Sequence, residues 1–293
     1  MNETAPAKVN LFLFLGPIRP DGRHELVTLF ESISLADELD LAVLDEGPDQ
    51  VICPDVDGPN LVSAALETLR RDGWEAPPVR IQIHKRIPLA AGLGGGSADA
   101  AATLRLAAAL AHPPDHALDR VAAALGADVP GQLRPGVSIG TGAGELVDAV
   151  CALEPHAYVI VPLPFGLSTP EVYREADRLQ LPRPDSELAA GLRSLTEALR
   201  DPGSTIPPGL AVNDLEQAAI SLRPEIAAAL EDVRRAGAHR AFVCGSGPTI
   251  AGAFTGADSV ARARIAADSL APRYPGACAA EPVGADFGLP QFA

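Results

Sequence analysis

At 293 residues the chain is long enough for two modest domains, each with a core of its own. A formal net charge of −15 argues against a nucleic-acid binder or a protein that docks on anionic membranes, and any polyanionic ligand must be held by local geometry against the overall field. The composition is 47% hydrophobic but only 4% aromatic, so the cores must be built mainly from Ala, Val, Leu and Ile. Cys53, Cys151, Cys244 and Cys278 lack C-x-x-C spacing, which points to neither a zinc site nor a disulfide framework but to reduced thiols in a cytoplasm. The apolar stretch Val9 to Leu15 follows Glu3, precedes Arg19-Pro20-Asp21 and has no small-residue cleavage site, so it does not read as a targeting segment. With no apolar run of membrane-spanning length, a cytoplasmic chain without membrane or nucleic-acid partners is expected.

Ala5 to Leu15 reads as a strand with both faces mostly apolar, hence buried. Lys8 and Asn10, two apart, project to one face near its start, where burial is costly unless they find partners; the alternative is a Lys8 that snorkels from an exposed end. Lys8 and Lys85 are the only lysines among 23 basic residues, which suits places that need a compact ammonium in place of a planar fork. Arg19-Pro20-Asp21-Gly22 is a turn by its chemistry. It leads into His24-Glu25-Leu26, an apolar run to Leu35 and the alternation Leu39, Leu41, Val43, which predict an antiparallel sheet. Asn60 is placed to cap a helix from Leu61 to Asp72, stopped by Gly73.

The stretch from Pro88 to Ala100 sets Gly92, Gly94, Gly95 and Gly96 between an alternating strand (Val79, Ile81, Ile83) and an alanine-rich helix, Ala98 to Ala111. That is the layout of a phosphate-binding loop. Glycines open dihedrals closed to other residues and let N–H groups approach a ligand, and the helix start adds unpaired donors and the positive end of its dipole. Ser97 can cap that helix or turn its hydroxyl to an anion or a metal-bound water. A flexible turn or tight packing would also explain a glycine run taken alone. Neither familiar loop fits: no lysine follows as a Walker loop requires, and Ser97 stands where the third glycine of a dinucleotide fingerprint should be.

A shorter helix, Pro114 to Gly126, leads into Ala127-Asp128-Val129-Pro130. A carboxylate just beyond a helix C-terminus faces the unfavourable end of the dipole and needs a compensating cation, so Asp128 is placed either for a task or for a turn. A strand at Val137 to Ile139, the glycine-rich turn to Gly144, and Glu145 to Val150 complete a first domain, residues 1–153. In the second, residues 154–293, Ala157 to Pro162 is a strand, and Ser168 and Glu171 have capping-box spacing with Pro170 in the first turn. Two weaker helices and a Pro-Gly-rich loop near Asp201 to Pro208 follow, and Asn213-Asp214-Leu215-Glu216 opens another helical stretch. Pro224 to Ala236 is a helix, and Arg240 to Cys244 and Ile250 to Phe254 are strands joined by Gly245-Ser246-Gly247-Pro248-Thr249. A helix from Ala257 to Leu270 and a strand from Cys278 to Val283 finish the order strand, helices, strand, strand, helix, strand of a split ferredoxin-like domain.

Three stretches match one family together. Ala5-Pro6-Ala7-Lys8-Val9-Asn10-Leu11, the Pro88 to Ala100 loop and Cys244-Gly245-Ser246-Gly247-Pro248-Thr249 resemble, in order, the three signatures of the galactokinase, homoserine kinase, mevalonate kinase and phosphomevalonate kinase (GHMP) superfamily. Within it, Arg19 to Leu26, Gly126 to Pro130 and Asn213 to Glu216 resemble the kinases that phosphorylate the 2-hydroxyl of 4-(cytidine 5'-diphospho)-2-C-methyl-D-erythritol in non-mevalonate isoprenoid synthesis. The resemblance implies an α+β, two-domain GHMP-kinase architecture, with a ribosomal-protein-S5-domain-2-like first domain and a ferredoxin-like second. It also implies phosphoryl transfer from ATP to an alcohol, a reaction of positioning and charge stabilisation.

On that resemblance Asp128 is the base that takes the hydroxyl proton, and Lys8 is the neighbouring ammonium that keeps it ionised and stabilises charge on the reacting oxygens. Ala90, Ala91, Gly92, Leu93, Gly94, Gly95, Gly96, Ser97, Ala98, Asp99 and Ala100 would hold the ATP phosphates. Asn10 and His24 would contact the substrate, Thr169 and Tyr173 would line its cytosine end, and Arg23, standing where the family usually has a Tyr that stacks on cytosine, would bind the substrate by laying its guanidinium on the base, the alternative being that it points into solvent. Gly131-Gln132 also departs from the family, where bulky apolar residues are common. Magnesium is expected with ATP, with no acidic cluster to name its protein ligands; the expected partners are a small-molecule substrate and ATP, and the expected state is a monomer or homodimer. The rivals are a sister kinase acting on homoserine or a mevalonate derivative, a diphosphomevalonate decarboxylase, and a non-catalytic nucleotide-binding module that would keep the glycines and lose the Lys and Asp.

Overall fold

Two long antiparallel strands, β1 (Asn2–Ile18) and β2 (His24–Val43), run through the centre of the first sheet in this computed structural model, which describes every residue except 55, 57, 59 and 293. The run to Leu35 and the later alternation to Val43 are thus one strand, not two. β2 also pairs with β4 (Val79–His84) through Glu38–Val43 and with β5 (Val137–Thr141) through Thr28–Glu31; β5 in turn pairs with β6 (Leu146–Ala149). A three-residue strand, β3 (Gln50–Ile52), adds in parallel to β4 at one edge, too short to carry any alternation in sequence.

β1 is apolar on both faces because helices cover both. On one side lies α2 (Gly95–Leu110), whose Ala98, Ala100, Ala101 and Ala102 are buried, flanked by α1 (Leu61–Arg71) and α3 (Ala117–Leu125). On the other side is α6 (Asp185–Ala198), where Gly191 fits under Phe14: a Cβ there would lie 2.6 Å from its ring. The side chain of Asn60 caps α1 as expected, accepting from the Val62 N–H at 2.9 Å. Ser97 is not the cap of α2. That position is Gly94, in the left-handed region at φ 70°, so the helix starts three residues earlier than the alanine run and Ser97 lies in its first turn.

The second sheet comprises β7 (His156–Val161), β8 (Arg240–Val243), β9 (Ile250–Thr255) and β10 (Cys278–Ala280), antiparallel in the order β10-β7-β9-β8. This is the strand order of a ferredoxin-like domain, as the element sequence implies. Alternation divides its residues. Ala157, Val159 and Val161 pack on α8 (Glu225–Arg235) and α9 (Ser259–Leu270), while Tyr158 and Ile160 join the core of the first sheet. α5 (Thr169–Arg178) and α7 (Glu216–Leu222) pack on each other beside the cleft between the sheets. Ser168 stands at the start of α5, but its side chain makes no capping bond; the hydroxyl that finds a partner is that of Thr169, with Ser246 at 2.9 Å. A four-residue helix, α4 (Val129–Gln132), follows Asp128 directly and has no hydrophobic period by which to be read.

Candidate active site

The elements above leave a cavity of about 440 Å³ between the glycine loop, the start of β1, the α3–α4 junction, the start of α5 and the β8–β9 turn. A volume of this order suits a small-molecule site. Lys8, Asn10, Thr28, Asp128, Thr169 and Tyr173 line it, together with Ala90 to Ser97 and Gly245-Ser246.

Lys8 does not snorkel: it is 6% exposed. Its backbone N–H donates to the Leu93 carbonyl at 2.9 Å, so β1 and the loop are joined at this residue. Its Nζ donates to Asn10 Oδ1 at 2.7 Å, lies 3.5 Å from Asp128 Oδ2 and stands 5.8 Å from the centroid of the Phe30 ring. Asp128 follows the C-terminus of α3 and has the Lys8 ammonium beside it. It also immediately precedes α4, which it does not cap, so its partly exposed carboxylate is left to face the Lys8 ammonium.

The loop glycines answer two separate demands. Gly92 and Gly94 have φ of +78° and +70°, which L residues avoid. Space is also short, since a Cβ on Gly92 would lie 2.2 Å from the Cys244 carbonyl oxygen and one on Gly94 3.0 Å from Lys8 Cγ. The loop is thereby pressed against the β8–β9 turn, where the Thr249 N–H donates to the Ala91 carbonyl at 3.3 Å. Asn213 fixes that turn from behind, its Nδ2 donating to the carbonyls of Val243 and Gly245 at 2.9 and 2.7 Å. Ser97 reaches the cavity, whereas Ala98, Asp99 and Ala100 are buried and do not line it.

Asp99 instead joins Lys85 and Asp37, with Lys85 Nζ 2.7 Å from its carboxylate. Burial, with the Asp37 charge beside it, pushes the Asp99 carboxyl up to about 7 against the pull of Lys85. Burial works against the Lys85 charge, but Asp99 and Asp37 together carry its ammonium above the ordinary value. Asp37, fully buried, also accepts from the backbone N–H groups of Arg86 and Ile87, so the strand-to-loop junction hangs on one carboxylate. Both retained lysines therefore sit against carboxylates.

On the substrate side the structure gathers some candidates and separates others. Asn10 is 2% exposed, and Thr169 and Tyr173 reach the cavity. Burial, with the Asp128 charge adding to it, holds the Tyr173 phenol far above its ordinary value. His24 lies behind Tyr173, ring centroids 5.4 Å apart; its Nδ1–H donates to the Gly16 carbonyl at 2.7 Å and its Nε2 is 3.3 Å from Asp177. Arg23 turns to Asp21, with Nε and Nη2 at 3.1 and 3.0 Å from Oδ2, and does not line the cavity. The departure at Gly131-Gln132 is structural: a Cβ on Gly131 would lie 3.6 Å from the Phe30 ring, and Gln132 Nε2 donates to the Pro6 carbonyl at 3.1 Å. Strand register alone brings Thr28 and Phe30 to the cavity and Asp37 to Lys85, so no local sequence signal marks these three.

Residues 60–137 match the family described as GHMP kinases N terminal domain, and residues 191–270 match GHMP kinases C terminal. A 4-diphosphocytidyl-2-C-methyl-D-erythritol kinase of Salinispora arenicola is 40% identical over 275 residues, 90% of this chain and 85% of that one. The enzyme of the same name from Thermobifida fusca is 40% identical over 290 residues, 94% of this chain and 92% of its own length. Among solved structures, a crystal structure of 4-(cytidine 5'-diphospho)-2C-methyl-D-erythritol kinase superposes with a TM-score of 0.74 at 34% identity, covering 97% of this chain and 99% of that one. Similarity at this level over nearly the whole length, with a glycine loop, a lysine and an aspartate converging on one cavity, makes the chain a member of the 4-diphosphocytidyl-2-C-methyl-D-erythritol kinase family within the GHMP kinases.

Proposed function

We propose that the chain transfers the γ-phosphoryl group of ATP to the 2-hydroxyl of 4-(cytidine 5'-diphospho)-2-C-methyl-D-erythritol, as a step of non-mevalonate isoprenoid synthesis. The observation that carries this reading is the Lys8–Asp128 pair, 3.5 Å apart, facing the same cavity as the glycine loop. Residues 1–153 supply the loop and the pair, and residues 154–293 supply Thr169, Tyr173 and the β8–β9 turn.

The triphosphate lies along Ala90 to Ser97, which line the cavity at the N-terminus of α2, where unpaired N–H groups and the helix dipole favour an anion. Asp128 accepts the proton of the substrate hydroxyl as its oxygen bonds to the γ-phosphorus and the bond to the ADP oxygen breaks. Lys8 keeps the carboxylate ionised before that transfer and neutralises charge on the phosphoryl oxygens during it. Asn10 borders the reacting end, while Thr169 and Tyr173 border the cytidine end, with His24 supporting the Tyr173 ring. Magnesium fits this arrangement as a partner of the nucleotide, with Ser97 as a protein oxygen in the cavity. Among the described residues no three His, Cys, Asp or Glu side chains gather as a metal site, and a magnesium held mainly by phosphate and water oxygens, neutralising phosphate charge, needs none.

ADP release measured with the cytidylyl substrate, mevalonate and homoserine tests the reading. Release with the first alone is expected, and release with either of the others in preference would assign a sister activity. The descriptions of the relatives concern small-molecule kinases, and no helix among the described residues is long and apolar enough to cross a membrane.

A further inference from the structure

We propose that Thr28 is a positioning residue that aims the Lys8 ammonium by fixing which way the Asn10 amide points, an inference that rests on the kinase reading above. The Thr28 hydroxyl donates to the Phe12 carbonyl at 2.8 Å. A hydroxyl has one proton, so towards Asn10 it can only accept. Asn10 Nδ2 donates to it at 2.9 Å, which leaves Oδ1 on the opposite side, where it accepts from Lys8 Nζ at 2.7 Å.

The result is a one-way chain from a backbone carbonyl to the ammonium. Turning the amide over would set an NH₂ group against a positive charge and a carbonyl against a hydroxyl oxygen with no proton left to give. Water has little access to repair the mismatch, because Lys8, Asn10 and Thr28 are 6%, 2% and 1% exposed. Lys8 needs such a guide: its charge sits on a flexible four-carbon stem, and its contact with Asp128, at 3.5 Å, is longer than its bond to Asn10. The register of β1 on β2 slips between Asn10 and Phe12, an irregularity of the kind that re-aims side chains beside active sites.

Two readouts test this. The chain has only two lysines, so protein labelled with ¹³C,¹⁵N-lysine gives two side-chain Cε–Nζ signals, from Lys8 and Lys85. In Thr28→Val the Lys8 signal should move and that of Lys85 stay, and Thr28→Ser, which keeps the hydroxyl, should restore the first. Steady-state kinetics on the same proteins should show kcat roughly tenfold lower for the Val variant, about one hydrogen bond's worth of misalignment, with the KM for ATP unchanged and the Ser variant close to the parent. Where Val disturbs the fold, Thr28→Ala against Thr28→Ser makes the same comparison. An unmoved Lys8 signal, or Ser and Ala variants equally perturbed, overturns the proposal. A parent protein that releases no ADP from the cytidylyl substrate would instead refute the kinase reading, and the lysine spectrum would still decide the role of Thr28.

Discussion

At the scale of single residues, the proposed active pair, Lys8 and Asp128, is defined by what surrounds it. Lys8 is buried and bonded to Asn10, while Asp128 is partly exposed at the mouth of the same cavity. In the proposed mechanism, a buried ammonium facing an accessible carboxylate would leave that carboxylate open to the substrate hydroxyl. If the two act on one step, Lys8→Ala and Asp128→Asn should each lower kcat by roughly 10²–10⁴-fold, and the double variant should lose much less than the product of the two. Full multiplicativity in that double-mutant cycle would separate Lys8 from Asp128. Arg23 is a different case. Its guanidinium is held on Asp21, outside the cavity lining, and nothing about it requires a ligand. Arg23→Ala should therefore leave the KM for the cytidylyl substrate within about twofold, the range expected of an exposed side chain. A severalfold rise with kcat unchanged would instead place Arg23 on the cytosine, in the position of the family's tyrosine.

At the scale of elements, the glycine loop is a turn and a packing surface together, and its proposed third task is to cradle the ATP phosphates. Gly94→Ala puts a side chain at φ +70°, which costs about 1–2 kcal/mol in the left-handed region, and presses on the Lys8 stem at 3.0 Å. Calorimetric titration should show weakened ATP binding with the affinity for the cytidylyl substrate nearly unchanged, and assays should show a lower kcat because Lys8 is displaced. Equal losses for both ligands would make the loop structural alone. The loop and its helix are legible in the sequence because glycine and alanine are strong local signals. Which glycines carry positive φ is not legible: they are Gly92 and Gly94, while Gly95 already opens the helix. β1 was likewise readable as a buried strand, yet its three register slips against β2 hide the Thr28–Asn10 contact from any period-two count. The Asp37–Lys85–Asp99 cluster was hidden for a related reason, since Asp37 is 48 residues from Lys85 and meets it only through the pairing of β2 with β4. Short elements such as β3 and α4 escaped because three or four residues hold no period.

At the scale of the whole molecule, the two sheets are tied together by polar groups as well as by their shared core. Glu31 of β2 accepts from His156 Nε2 at 2.7 Å and from the Tyr158 hydroxyl, both on β7, and His156 Nδ1 donates to the Glu154 carbonyl at 2.7 Å. With an acceptor at each ring nitrogen, the charged imidazolium is favoured. Burial works against it, but the hydrogen bond and charge of Glu31 carry the His156 pKa above its ordinary value of 6.5. A ring whose pKa is raised by folding contributes its stability in full below the unfolded value and loses it as pH climbs through the folded one. The gap in thermal stability between the parent and His156→Gln should therefore be widest below about pH 6.5 and narrow as pH rises. A gap independent of pH would mean that the ring is neutral in the fold. Closing the two sheets in this way brings the loop, Lys8 and Asp128 from one half against Thr169 and Tyr173 from the other, a joint site whose proposed task is phosphoryl transfer to the cytidylyl substrate. Incubating the protein with ATP, magnesium and the cytidylyl substrate and following the mixture by ³¹P NMR tests it most directly. A new phosphomonoester resonance, growing with ADP while the diphosphate signals of the substrate persist, and nearly absent with Asp128→Asn, is the predicted result. No monoester from the parent protein, or an equal rate from the Asn variant, would contradict it.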